Sequence, residues 1–182
     1  MIVFFSCNVY FNLSSNMPSS PVSFLDYLDT LAVVSGGLFA GTALYISIGQ
    51  VPALRQFGLS DHWRFFPYMY KNAAPPQGTF ATIAGVASIA HATRIRGSPF
   101  DRNLWIIAGT TFLAIIPYTF ACIAPVNKAI IEDNKSVDAG NESKVNVGAK
   151  KDLLDKWALL HLVRTVGSVA GFGAMVFGLT RH

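Results

Sequence analysis

Four apolar stretches alternate with polar segments along the chain. They occupy positions 31–49, 78–93, 104–124 and 157–180, which are 19, 16, 21 and 24 residues long. A helix crossing hydrocarbon needs roughly 20 apolar residues. The pattern therefore predicts an all-α fold, an integral membrane four-helix bundle with spans at about 30–50, 77–94, 103–124 and 156–180. The second span is the shortest, and Ala73, Ala74 and two prolines ahead of it extend its apolar depth. None of the stretches alternates apolar with polar residues as a barrel strand would. Small residues recur at four-residue spacing in three of them: Gly37 and Gly41, Ala81 and Gly85, Gly167 and Gly171. Such pairs allow close helix contact in lipid.

The connections set the topology. About 27 residues join the first two spans, about ten the next two, and about 32 the last two. Both long loops then lie on one face, named B. The opposite face, A, carries the N-terminus, the short loop and the C-terminus. Residues 1–28 form an N-terminal arm expected to be poorly ordered, and 29–182 form the membrane domain. The arm begins apolar but lacks the basic start of a signal peptide. Positions 19–29 look like a helix entry, with Pro21 early and acidic residues after it. Positions 132–150 are polar and rich in Asn and Lys, and read as an exposed, mobile excursion. They include two glycosylation sequons, at Asn134 and Asn141.

Composition agrees with the membrane reading. The chain is 52% hydrophobic and 13% charged, against about 25% charged in soluble domains. Its net charge of +4 sits mostly in loops. Face B carries nine Lys and Arg residues and face A four, which favours face B in the cytosol of an internal membrane such as the endoplasmic reticulum. This charge implies a membrane-face preference and no nucleic-acid partner. Cys7 and Cys122 are far apart and form no C-x-x-C pair. The four histidines are scattered, so no metal site is expected, and no phosphate-binding glycine loop is present.

An ionisable group inside a span is a functional candidate, because placing it there costs free energy. His161 and Arg164 are three residues apart and share a face of the fourth span. Both lie toward face B. Span direction brings Tyr45, Gln50, Gln77, Tyr118, Thr119 and Asn127 to the same end, beneath a loop holding Trp63, Phe66, Tyr68 and Tyr70. Aromatic walls with a few polar groups make a small-molecule site. Plainer readings stand beside this one. Trp63, Tyr68, Tyr70 and Trp157 suit an interfacial belt, Arg164 suits snorkelling, and Asn127 suits a helix cap. Pro117 and Pro125 would kink or end the third helix.

Several motifs together resemble the anthrone oxygenase-like family, small four-span membrane proteins of fungal aromatic polyketide pathways. They are Gly41-Thr-Ala-Leu-Tyr45 with Val51-Pro52-Ala53, the 63–70 segment with Pro75 and Pro76, Ile116-Pro-Tyr-Thr119, Pro125-Val-Asn127, and Trp157-x-x-x-His161-x-x-Arg164. The resemblance runs from about residue 29 to 180 and implies a membrane-bound monooxygenase. Its substrate would be a small aromatic polyketide, an anthrone oxidised to an anthraquinone with O2 as co-substrate and no metal or organic cofactor. In that role His161 would be the base, Arg164 would stabilise the oxyanion, and Asn127 would assist. Tyr45, Gln50, Trp63, Tyr70, Tyr118 and Trp157 would contact substrate, with Asp155 the alternative base. The lipid bilayer and other pathway enzymes would be its partners. The alternatives are a non-catalytic tetraspan scaffold of a biosynthetic complex and a small transporter. The transporter would need a polar path that the middles of the first three spans lack.

Overall fold

The computed structural model describes residues 23–181, and most of the expected N-terminal arm lies outside these residues. All regular structure among them is helical. Ser23 starts the first rod. Its hydroxyl accepts from the Leu25 N–H, and its own N–H donates to Asp26 at 3.0 Å. This capping box satisfies donors that a helix start leaves unpaired. The rod continues as α1 (Leu28–Tyr45), a π-helical turn (Ile46–Gln50) and α2 (Val51–Phe57). Gly58, at φ 111°, ends it in a conformation that suits only glycine. Then come α3 (Leu59–Ala92), α4 (Pro99–Tyr118), a second π-helical turn (Thr119–Ile123), α5 (Ala124–Asp138) and α6 (Val147–Leu179).

The four rods pack as a ring in which α1 and α4 each lie against both α3 and α6. Three rods are long and apolar enough to cross a membrane: Phe24–Phe57, Pro99–Asp138 and Val147–Leu179. The rod formed by α3 is 34 residues long, but its first half carries the charged residues Asp61, Arg64 and Lys71.

The two long face B loops expected from the sequence are instead helical for most of their length. Residues 51–77 form α2 and the first half of α3, while 125–156 form α5, a short turn and the start of α6. Polar composition hid an apolar stripe at helical spacing. Trp63 and Phe66 on α3, Val126 and Ile130 on α5, and Leu154 and Trp157 on α6 bury one another in a core of their own. The third rod accordingly passes through Pro125. Pro67 within α3 lacks the N–H that Trp63 O would accept, and Asn134 Nδ2 donates to that carbonyl instead, at 3.1 Å. Asn134 is thus a buried structural residue, and its sequon is not an exposed acceptor.

Of the segment expected to be mobile, only 139–146 is non-helical. Asp133 fixes it. Its buried carboxylate accepts from Ser143 Oγ at 2.8 Å, Lys144 N at 2.9 Å and Trp63 Nε1 at 3.2 Å. Burial pushes this carboxyl up, but the Ser143 hydroxyl, the backbone N–H groups and the Lys150 charge outweigh it. They hold the group below the usual carboxylate range.

The face A half is packed differently. Phe39, Trp105, Phe112 and Met175 fill its core. A Cβ on Gly85 would lie 2.5 Å from Leu113 and 3.0 Å from Gly109 O, so α3 and α4 touch through their backbones. Of the three small-residue pairs, Ala81 and Gly85 lie at this contact. Gly41 and Gly167 have ample room, whereas Gly37 lies against Phe172, Gly171 against Phe112, and Gly36 against Phe112 and Met175.

Candidate active site

Both π-helical turns precede a proline by one residue, Pro52 in the first rod and Pro125 in the third. A proline cannot donate to the carbonyl four residues back and crowds it, and a π-turn absorbs the disruption. The two turns flank a cavity of about 160 Å³. That is roughly ten times the space one water needs.

The cavity walls come from every rod. Phe39 and Ile46 belong to the first, and Tyr70, Ala73, Ala74, Gln77 and Gly78 to α3. Ile115, Thr119, Phe120, Ile123 and Asn127 come from the third rod, and Trp157, His161 and Arg164 from α6. Gly78 and Phe120 (73% exposed) place its rim between α3 and the third rod.

Four polar groups converge on this apolar space. His161 is 1% exposed, and its ring lies 5.0 Å from that of Trp157. Its Nδ1 is 3.0 Å from Ser47 Oγ, while Nε2 is buried with no hydrogen-bond partner. Arg164 donates to Gln77 Oε1 at 2.8 Å and stands over the Phe39 ring at 5.5 Å. Its Nε is buried and unpartnered, as are Gln77 Nε2 and Asn127 Oδ1. A buried polar atom without a partner costs roughly 1–3 kcal/mol. Concentrating four such atoms on one cavity suits a ligand that supplies the missing partners. Among the described residues no group of three His, Cys, Asp or Glu side chains could hold a metal ion.

The structure brings together His161, Arg164, Asn127, Tyr70 and Trp157 of the residues selected from sequence. It does not bring Tyr45, Gln50, Trp63 or Tyr118 into the cavity wall. Tyr45 points outward, 65% exposed, with its ring over Gly49. Gln50 closes the first π-turn outside the cavity wall. Trp63 is committed to Asp133, and Tyr118 donates its hydroxyl to Leu160 O at 3.1 Å. Asp155 also lies outside, bonded to Lys151 at 2.8 Å and Arg55 at 2.7 Å. Those cations hold its carboxyl below the usual range against partial burial, so it is a weak base. Ser47 and Thr165 were not selected from sequence, yet both contact the His161 ring. Thr165 follows His161 by four residues, which would have placed it on the same helix face.

Fold and site define a helical protein of the membrane type, with a histidine-cornered apolar cavity at one end of its bundle. The chain belongs to the anthrone oxygenase family, whose sequence profile matches residues 66–174. That match spans Gln77, Asn127, His161 and Arg164. The anthrone oxygenase AgnL2 of Paecilomyces divaricatus is 27% identical over 144 residues, covering 77% of this chain and 87% of the relative. An anthrone oxygenase of Claviceps purpurea is 29% identical over 157 residues, covering 81% and 88%. The anthrone oxygenase nsrD of Aspergillus novofumigatus is 26% identical over 162 residues, covering 82% and 94%. No solved structure is detectably similar. By this similarity the chain is an oxygenase.

Proposed function

We propose that this protein crosses its membrane four times and oxidises an anthrone to an anthraquinone with O2, without metal or organic cofactor. The observation that carries the reading is the convergence of unpartnered His161 Nε2, Arg164 Nε, Gln77 Nε2 and Asn127 Oδ1 on one aromatic-lined cavity. An anthrone is flat, apolar and phenolic, and it matches such a space. The second half of α3 is the fourth span in this reading. It is flanked by α1 and α4 along its length, and both belong to membrane-length rods.

The chemistry follows from the substrate. The methylene of an anthrone is acidic because its anion delocalises onto the carbonyl and both rings. His161 Nε2 takes one methylene proton as general base. Arg164 and Gln77 Nε2 donate to the carbonyl oxygen as it gains charge. Asn127 Oδ1 accepts from a phenolic O–H, and Trp157 and Tyr70 flank the rings. The carbanion gives its electrons to O2, forming a C–O bond and a peroxide. The peroxide recovers a proton from the His161 imidazolium. Loss of the second methylene proton then breaks the O–O bond, releasing water and leaving the ketone. In sum, CH2 and O2 become C=O and H2O.

The test is oxidation of a simple anthrone under air by the purified protein in lipid nanodiscs, measured against the spontaneous background. Quinone formation well above background that survives a chelator and has no flavin absorbance is expected. Background-level conversion would contradict the activity, and loss on chelation would contradict the cofactor-free chemistry. In this reading the face B end, with its excess of Lys and Arg, lies in the cytosol. Protease added outside intact microsomes should then cut at the exposed 139–146 turn, and protection would reverse the orientation.

A further inference from the structure

We infer that Ser47 and Thr165 are positioning residues that fix the tautomer of His161, leaving Nε2 bare and directed into the cavity. This rests on the reading of His161 as the base. Ser47 stands outside the segment that the family profile matches.

The hydrogen-bond geometry gives the direction. Thr165 Oγ1 lies 3.2 Å from Ala43 O and 3.0 Å from its own helix's His161 O. Carbonyls only accept, so the single hydroxyl hydrogen of Thr165 goes to one of them. Thr165 Oγ1 is then an acceptor toward Ser47 Oγ, 2.9 Å away. The single hydrogen of Ser47 fills that contact. Ser47 Oγ at 3.0 Å has therefore only lone pairs to offer His161 Nδ1, as has Thr165 Oγ1 at 3.3 Å once its hydrogen is on a carbonyl, and Nδ1 must carry the hydrogen. A neutral imidazole has one N–H, so Nε2 keeps its lone pair. The opposite direction would leave two oxygen–carbonyl contacts around Thr165 without a hydrogen between them.

The arrangement has two further consequences. Ser47 lies within the first π-turn, so the turn ahead of Pro52 supplies a group to the site. Thr165 Oγ1 also lies 3.2 Å from Ala43 O, so the group that sets the ring is packed against the backbone of α1. The base is therefore held from the side opposite the cavity, and substrate can approach Nε2 without competing for a hydrogen bond.

The test uses full-length protein labelled with 15N-histidine in nanodiscs, with the His161 signals identified by their loss in His161→Gln. In the wild type, Nδ1 should be protonated and Nε2 bare. Thr165→Val keeps side-chain shape but removes the terminal hydroxyl, leaving Ser47 free to donate to Nδ1. It should invert the tautomer and lower kcat about a hundredfold at unchanged KM, within the range for losing general-base catalysis. Thr165→Ser should restore both readouts to within about threefold of wild type. A bare Nδ1 in the wild type would overturn the inference. So would a Thr165→Val protein with unaltered tautomer, whatever its rate, or one within about twofold of wild-type kcat. Ser47→Ala gives a second reading, with loss of the fixed tautomer expected and an unchanged tautomer contradicting. Full activity of His161→Gln would instead remove the underlying assignment of the base, so the two failures are distinguishable.

Discussion

The two ends of the helical ring are built on opposite terms. At the face A end, glycines let backbones touch, and Trp105, Phe112 and Met175 fill the remaining volume. At the face B end, each of two rods spends a π-turn and a proline to stay open, and four buried polar atoms lack partners. Close packing and full hydrogen bonding are the default in a folded interior. The face A end meets the packing default, with Trp105 Nε1 also buried and unpartnered there, while at the face B end four such atoms gather around a single cavity. The tight end thus holds the rods in register, and the loose end keeps a destabilised, preorganised site. Departures from locally favourable structure tend to mark function.

Four substitutions test the difference between the two ends. His161→Gln has the largest expected effect, a fall in kcat of about 10²–10⁴-fold, read by quinone formation above background, with the helical content unchanged. Arg164→Gln removes the charge facing the carbonyl oxygen and should cost about 10²–10³-fold in kcat. Gly85→Leu strikes the tight end instead. Its side chain would meet Leu113 and Gly109 O, and α3 would have to leave α4. A loss of about 1–3 kcal/mol or more is expected, visible as a lower thermal midpoint in detergent. Gly78→Ala is the counterpart at the loose end, where nothing lies within 4 Å of the added methyl. It should be tolerated and raise stability by about 0.5–1 kcal/mol through lower chain entropy. Equal destabilisation by the two glycine substitutions would dissolve the distinction between the ends.

The contrast was half legible in the sequence. Bilayer-length apolar runs predicted the helices, because hydrocarbon forces backbone groups to pair within the segment. Span direction alone gathered His161, Arg164, Asn127, Tyr70 and Trp157 at one end. Reading an end is not reading a side, however. Tyr45 is close to the cavity along the first rod, yet it lies between inward-facing Ala43 and Ile46 and turns out. Gln50 follows a π-turn whose wider winding shifts every later residue around the helix. The helical extensions at face B escaped notice because lysines and asparagines dominate the composition of 125–156, while their apolar contacts come from three different helices. Ser47 and Thr165 were missed because serine and threonine are ordinary in spans, and only distances single them out.

The most direct measurement separates proton removal from oxygen chemistry. An anthrone can be incubated anaerobically in D2O with the protein in nanodiscs, and deuterium entering its methylene followed by mass spectrometry. Ser47 and His161 also line a second cavity, beside Arg55 and Asp155, on the Nδ1 side of the ring. With His161 Nε2 as the base, wild-type protein should accelerate exchange about a hundredfold over background, and His161→Gln should not accelerate it. Exchange at the same rate with both proteins would contradict the assignment of His161 as the group that takes the methylene proton.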